Sequence, residues 1–296
     1  MYRLHDLRQR LRASLSPLTE QSESEIRTIL KVVLDIDAAQ CVLEPEREIT
    51  AEEWARVDAV IRRREEREPL QYILGNVGFR SIDLKMAPGV LIPRPETECM
   101  VDWLLERSRR MGRLRSQTRE GTVYAAEIGI GSGAISIAFA QEWKPVSDED
   151  LQIDAVDCSP EALEIARENI ANHSLAAKRI ALFRGDLFDA FPDGKRYDLI
   201  YSNPPYVPES DRAFLAPEVA QYEPSVALFA GDGLDCYRRI FEQLGERLAP
   251  GGAAIFEIGK GQDEAVMAIA RHHGYRNLEA LKDYAGIRRF VVCSID

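Results

Sequence analysis

Leu4, Leu7, Leu11 and Leu15 recur at the three- and four-residue spacing of one helix face, so the chain opens on an amphipathic helix. Ile26, Ile29, Leu30, Val33 and Leu34 form a second stripe behind Ser22-Glu23-Ser24-Glu25, whose Ser and Glu three apart predict a capping box. Thr50-Ala51-Glu52-Glu53 predicts another, opening a helix with Trp54, Val57 and Ile61 inward and Pro69 beyond its end. The run Arg62-Arg63-Arg64-Glu65-Glu66-Arg67 interleaves charges of both signs and reads as a solvated helix face. Residues 1–75 are therefore expected to be a small all-helical domain.

The period then changes. Between residues 76 and 95, Gly, Pro and short alternating stretches such as Phe79-Arg80-Ser81-Ile82-Asp83-Leu84 predict a β-hairpin linker. From residue 96 to 296, strand-like and helix-like segments alternate, the signature of a mostly parallel sheet with helices on both faces. Strands are predicted over 122–128, 153–157, 179–184, 197–202, 253–258 and 288–293. A helix is predicted from Gly133 to Gln141, and Ser159-Pro160 starts another with Ser as cap and Pro in the first turn. The fold class is α/β, Rossmann-like, preceded by a helical module.

Composition narrows the function classes. Hydrophobic residues are 45% and charged residues 29% of 296, ordinary globular usage. No run of about 18 apolar residues suggests a membrane span. The first sixteen residues are Arg-rich and acid-poor, like a transit peptide, but the leucine stripe suits a bundle equally well, and a cytoplasmic location is expected. Cys41, Cys99, Cys158, Cys236 and Cys293 lie far apart with no CxxC pair, which argues against structural zinc and disulfides; no metal is expected. The net charge is −11. Residues 1–120 hold 21 basic and 21 acidic side chains, and the rest hold 17 and 28, so the acidic excess belongs to the α/β part. That opposes a surface built to track a phosphate backbone, and no stable nucleic-acid partner is expected.

Gly129-Ile130-Gly131-Ser132-Gly133 sits where a strand gives way to a helix, allowing a tight turn and close approach of a ligand to unpaired amides. Read as Gly129-x-Gly131-x-x-Ala134 it also satisfies a dinucleotide fingerprint, so a nicotinamide enzyme stays open at this point. Asp157 ends the next strand, where a carboxylate accepts from a ribose diol, or simply caps the following helix. Asp186 and Leu187 follow the third strand at the same sheet edge, suited to an adenine amino group and base, or to an ordinary turn.

Asn203-Pro204-Pro205-Tyr206 follows the strand at 197–202 directly. Two prolines terminate a strand, and each holds the residue before it extended, so the carbonyls of Asn203 and Pro204 point in fixed directions. With the Asn203 side-chain carbonyl and the Tyr206 ring they form a rigid, acceptor-lined slot suited to a planar NH2 group.

In this order the motifs resemble class I S-adenosylmethionine-dependent methyltransferases acting on amide or exocyclic amino nitrogen. Adding residues 69–75 (Pro-Leu-Gln-Tyr-Ile-Leu-Gly), 90–98 (Val-Leu-Ile-Pro-Arg-Pro-Glu-Thr-Glu), Tyr222-Glu223-Pro224 and 231–235 (Gly-Asp-Gly-Leu-Asp), the chain most resembles the PrmC/HemK family. The resemblance implies methyl transfer from S-adenosylmethionine to the glutamine N5 of the Gly-Gly-Gln motif in class I peptide chain release factors; a monomer is expected. It implies that Gly129, Ile130, Gly131, Ser132 and Gly133 line the methionine end of the cofactor, that Asp157 takes the ribose, and that Leu187 flanks the adenine, whose amino group Asp186 is expected to accept from on the reading above. Asn203, Pro204, Pro205 and Tyr206 would grip the substrate glutamine and carry catalysis, Asn203 also facing the cofactor. Ile130 departs from the commoner Thr and removes a hydroxyl, while Arg94–Glu98 receive no role from physics. Rival readings are a ribosomal-protein glutamine methyltransferase, a nucleic-acid amino-group methyltransferase (adenine N6 or guanine N2), and a cofactor-binding assembly factor without turnover.

Overall fold

The structure, a computed structural model, describes residues 2–115, 121–145 and 150–295. It divides into two compact units, Met1–Asn76 with Ala216–Tyr222, and Val77–Leu215 with Glu223–Asp296.

In the first unit, β1 (Tyr2–Arg3) pairs antiparallel with β2 (Glu48–Ile49), among helices α1 (Leu4–Leu15), α2 (Ser22–Leu34), α3 (Ala38–Leu43), α4 (Ala51–Glu65) and α5 (Leu70–Leu74). The predicted stripes meet: Leu4, Leu7, Leu11 and Leu15 pack with Ile26, Ile29, Leu30, Val57 and Ile61. The Thr50 box is formed, the hydroxyl accepting from Glu53 N at 3.1 Å and the Glu53 carboxylate accepting from Thr50 N at 2.8 Å. The Ser22 box is not. Ser22 is already helical, Gln21 occupies the cap without a side-chain bond, and the Glu25 carboxylate is engaged elsewhere.

Its partner corrects the reading of the arginine run. Arg64 is 3% exposed, within 3.0 Å of Glu25 and 3.2 Å of Glu218, and it donates to the Glu68 carbonyl. Three acceptors around one guanidinium make burial tolerable where a lone charge would not be. Glu218 lies on α10 (Pro217–Tyr222), whose Tyr222 hydroxyl donates to the Glu66 carbonyl at 2.7 Å. Arg64→Ala leaves the part-buried Glu25 without its cation and Glu218 with Arg67 alone, so it should destabilise this unit by about 3 kcal/mol. Urea unfolding followed by Trp54 fluorescence checks this, and an unchanged midpoint would contradict it.

The second unit begins at Val77, within the hairpin of β3 (Asn76–Phe79) and β4 (Ile82–Lys85), followed by a 3-10 turn, Pro95–Thr97, and α6 (Glu98–Arg115). There follow β5 (Val123–Ile128), α7 (Ala134–Glu142), β6 (Leu151–Asp157), α8 (Pro160–Ala171), α9 (Ala176–Arg179), β7 (Ile180–Arg184) and β8 (Tyr197–Ser202). After the helical segment α11 (Ser225–Leu228) come α12 (Asp235–Arg247), β9 (Leu248–Glu257), α13 (Asp263–His272), β10 (Asn277–Lys282) and β11 (Arg288–Ser294). The hairpin side chains Phe79, Ile82 and Leu84 belong to this unit's core.

The seven strands run in the order β10-β11-β9-β8-β5-β6-β7, with β7-β6-β5-β8-β9 parallel and β11 and β10 antiparallel. On β5, Val123 and Ala125 enter one core while Ala126 and Ile128 enter the other, as expected of a strand covered on both faces. Strand order reverses beside β5, and there the register sets Ile128 opposite Ser202. The two loops that follow, beginning at Gly129 and Asn203, thus emerge side by side at the topological switch point. Among the described residues, no helix is long and apolar enough to cross a membrane.

Candidate active site

The switch point opens into a cavity of about 360 Å³, within the range of small-molecule sites. Gly129 and Gly131 line it with φ of +74° and +55°, and a Cβ at either would point into open space, so the backbone itself forms the wall. Asp157 holds this loop: one carboxylate oxygen accepts from Gly131 N and the other from Ser159 N, both at 2.9 Å. Burial nevertheless pushes the Asp157 carboxyl above its ordinary value. Ser159 caps α8 through its hydroxyl, as predicted.

Of the residues singled out above, Gly129, Gly131, Asp157, Asp186, Leu187, Asn203, Pro204 and Pro205 line the cavity together. Ile130, Ser132 and Gly133 do not. Ile130 is packed in the core, the Ser132 carbonyl accepts from Asn169 at 2.9 Å, and Gly133 is pressed against Ile137, whose Cδ1 would lie 2.8 Å from a Cβ. Asp186 is held by an ion pair with Arg239, itself a cavity residue, and Leu187 adopts a left-handed φ of +51°. Tyr206 stands behind the slot, its hydroxyl 3.4 Å from the Glu257 carboxylate and its carbonyl accepting from Gln262 at 3.0 Å.

The opposite wall comes from two segments the sequence left without roles. Val90 and Leu91 form one part, and Pro224, Val226, Ala227, Phe229 and Ala230 the other. Val207 bridges to Phe229, tying this second segment to the loop after Tyr206. Arg94 donates to Glu223 at 2.6 Å, and the other oxygen of this buried carboxylate accepts from Ile92 N, which joins the two segments. Thr97 donates to Glu257 at 2.6 Å, and Glu98 accepts from Arg80 N at 2.9 Å. Arg94–Glu98 is thus the fastening of one cavity wall. Sequence reasoning missed Glu223, Glu257, Gln262 and Arg239 as contributors. Glu223 stood in the Tyr222-Glu223-Pro224 motif without a role of its own, and the spacing of Glu257 and Gln262 around Gly259 and Gly261, at a strand end, was a further signal.

Beneath the glycine loop Glu127 is fully buried, accepts from the Ser136 hydroxyl, and is pushed up to about 8 by burial. The native state therefore holds a proton that the unfolded chain, with an ordinary value near 4.5, releases. The resulting stabilisation is present at low pH and lost as pH rises from about 4.5 to about 8. Glu127→Gln keeps an acceptor for Ser136 without the titration, so its Tm should fall less than that of the wild type between these limits. Parallel Tm curves in a calorimetric pH series would contradict the assignment.

The set fits an adenosine-type cofactor: a glycine wall with room beside it, an ordered carboxylate at the second strand end, and a concave site closed by Leu187.

The chain matches the family model of the PrmC N-terminal domain over residues 4–75 and that of the methyltransferase small domain over residues 113–219. It is 37% identical over 273 residues to the release factor glutamine methyltransferase of Geobacter sulfurreducens, covering 92% of this chain and 89% of that one. The protein of the same name from Thermodesulfovibrio yellowstonii is 38% identical over 269 residues, covering 90% and 91%. The crystal structure of the hMettl16 catalytic domain in complex with MAT2A 3'UTR hairpin 1 superposes with a TM-score of 0.53 at 15% identity, over 91% of this chain and 89% of that one, a likeness of fold alone. With motifs, fold and near full-length identity in agreement, this chain belongs to the release factor glutamine methyltransferase family.

Proposed function

We propose that the protein transfers a methyl group from S-adenosylmethionine to the side-chain amide nitrogen, N5, of the glutamine in the Gly-Gly-Gln motif of class I peptide chain release factors. The observation that carries this reading is that Asn203, Pro204 and Pro205 line the same cavity as Gly129, Gly131 and Asp157. An amide-gripping slot and a nucleoside-binding edge therefore share one space. Relatives over nine-tenths of the chain bear the corresponding name.

A primary amide is a poor nucleophile because its nitrogen lone pair is delocalised into the carbonyl. The cofactor, when bound, supplies a methyl on a sulfonium, which leaves as a neutral thioether. The chain's task is orientation and electrostatics. Gly129 and Gly131 line one end of the site, Asp157 accepts from the ribose diol, and Asp186, steadied by Arg239, faces the adenine beside Leu187. The Asn203 side-chain carbonyl and the Pro204 carbonyl accept the two amide hydrogens. This turns the nitrogen toward the methyl and stabilises the positive charge that grows on it, until one of these hydrogens leaves as a proton to water and the neutral N-methyl amide remains. The prolines keep these acceptors from relaxing toward one another, so little reorganisation accompanies charge development. The helical unit is the surface offered to the release factor.

Incubation with methyl-labelled S-adenosylmethionine should label an intact class I release factor, and not one whose Gly-Gly-Gln glutamine is replaced. Label on nucleic acid or ribosomal proteins instead would refute the substrate assignment.

A further inference from the structure

Tyr206 is gripped by the end of β9 and by the turn that follows it. Its hydroxyl faces Glu257 Oε1 at 3.4 Å, and its main-chain carbonyl accepts from Gln262 Nε2 at 3.0 Å. Gln262 is itself locked, its Oε1 accepting from Gly259 N at 2.8 Å. Gly233 and Gly259 press on this clamp so closely that a Cβ at Gly233 would lie 2.7 Å from the Tyr206 carbonyl, and one at Gly259 2.8 Å from Gln262 Oε1. Glu257 Oε2 accepts from Thr97 at 2.6 Å, so the same carboxylate ties Tyr206 to the Arg94–Glu98 wall. None of this is needed to end a strand, and all of it converges on the residue beside the amide slot.

We propose that Glu257 and Gln262 are positioning residues that fix Tyr206 by its hydroxyl and its carbonyl, and so hold Asn203 and Pro204 in the orientation that receives the substrate amide. The role rests on the reading of that slot given above. The groups around Glu257 are Thr97 and Glu96 from the 3-10 turn, Tyr206, Arg289 from β11, and Tyr237 of α12, which donates to the Glu257 main-chain carbonyl. Burial pushes the Glu257 carboxyl up to about 7; the Thr97 hydroxyl opposes this, Glu96 adds to it, and Arg289 and Tyr206 oppose it. The ionised carboxylate accepts from both hydroxyls. Once protonated, one oxygen carries a hydrogen and Tyr206 loses an undivided acceptor. Turnover should therefore fall as pH drops through about 7.

The test uses the full chain with Glu257→Gln and Gln262→Ala. With a release factor as substrate, wild-type kcat should rise through an ionisation near 7. Glu257→Gln should lose that limb and run about ten-fold slower at its plateau, while calorimetric affinity for S-adenosylmethionine stays within roughly two-fold. Gln262→Ala should be slower by a similar factor and keep the limb. Independently of any substrate, the 13Cζ resonance of Tyr206, assigned with Tyr206→Phe, should shift with pH near 7 in the wild type and stay flat in Glu257→Gln. A flat wild-type resonance, or a limb that persists in Glu257→Gln, overturns the proposal. Absence of release factor labelling by the wild type would overturn the substrate reading instead, and the resonance then decides this proposal alone.

Discussion

Asn203→Ala is expected to lower the single-turnover rate of methyl transfer by about two to three orders of magnitude, as loss of one preorganised charge-stabilising group does elsewhere. The affinity for S-adenosylmethionine should change by less than roughly three-fold. Asn203 sits at the first position after β8 and lines the cavity beside Pro204 and Pro205. Its side chain carries an amide acceptor on a backbone that Pro204 holds extended. Alanine there removes a partner used chiefly once charge has developed on the amide nitrogen, so the loss falls on the transition state. Rapid-quench turnover with saturating release factor, set beside a cofactor titration, separates the two effects. An unchanged rate, or a rate loss matched by an equal loss of cofactor affinity, would contradict the role.

Asp157→Ala should act on the other half of the site. The carboxylate organises the glycine loop through Gly131 and the start of α8 through Ser159, and Asp157 lines the cavity. Removing it takes away two charge-assisted bonds to backbone amides together with the proposed ribose acceptor. The dissociation constant for S-adenosylmethionine should rise about 100-fold, equivalent to about 2.7 kcal/mol. At saturating cofactor the turnover rate should fall by less than roughly five-fold, because the amide slot is untouched. Asp157→Asn keeps one acceptor oxygen and should lie between the two. Isothermal titration of each variant tests the order, and equal affinities across all three would contradict it.

Much of this architecture was legible because local chemistry and global fold agree. The leucine stripe at Leu4 to Leu15, the Thr50 box and the strand ending at Ser202 each state their structure within a few residues. The glycine loop and Asn203–Tyr206 were legible for a related reason: positive φ and proline restriction are backbone constraints that residue type alone announces. What was hidden depends on pairing across the chain. Arg64 reads as one member of a solvated run until Glu25 and Glu218 arrive from 39 and 154 residues away. Glu25 in turn looked like half of a capping box, since Ser22 has the right spacing and nothing local shows that the carboxylate is spoken for. Glu257 ends an apolar strand as a strand-terminal acid would, and Glu223 sits in a Tyr-Glu-Pro segment that reads as a turn. Their buried partners, Thr97 and Arg94, lie 160 and 129 residues earlier. Strand β10 escaped notice because its exposed, mixed-polarity alternation is what an edge strand needs and what a loop also shows.

Ile130 is instructive in the other direction. Its hydrophobic side chain, a departure from the hydroxyl common in similar loops, faces the core and not the cavity, so the substitution leaves the wall of backbone at Gly129 and Gly131 intact. The loop meets the cavity with main chain at Gly129 and Gly131, anchored by Asp157.

The most direct measurement is site localisation of the transferred methyl. A class I release factor treated with this protein and S-adenosylmethionine is digested, and the Gly-Gly-Gln peptide is fragmented in a mass spectrometer. The account predicts a single added methyl on the glutamine side-chain amide, absent with Asn203→Ala on the same timescale. An unmodified glutamine, or a methyl carried by another residue, would contradict it.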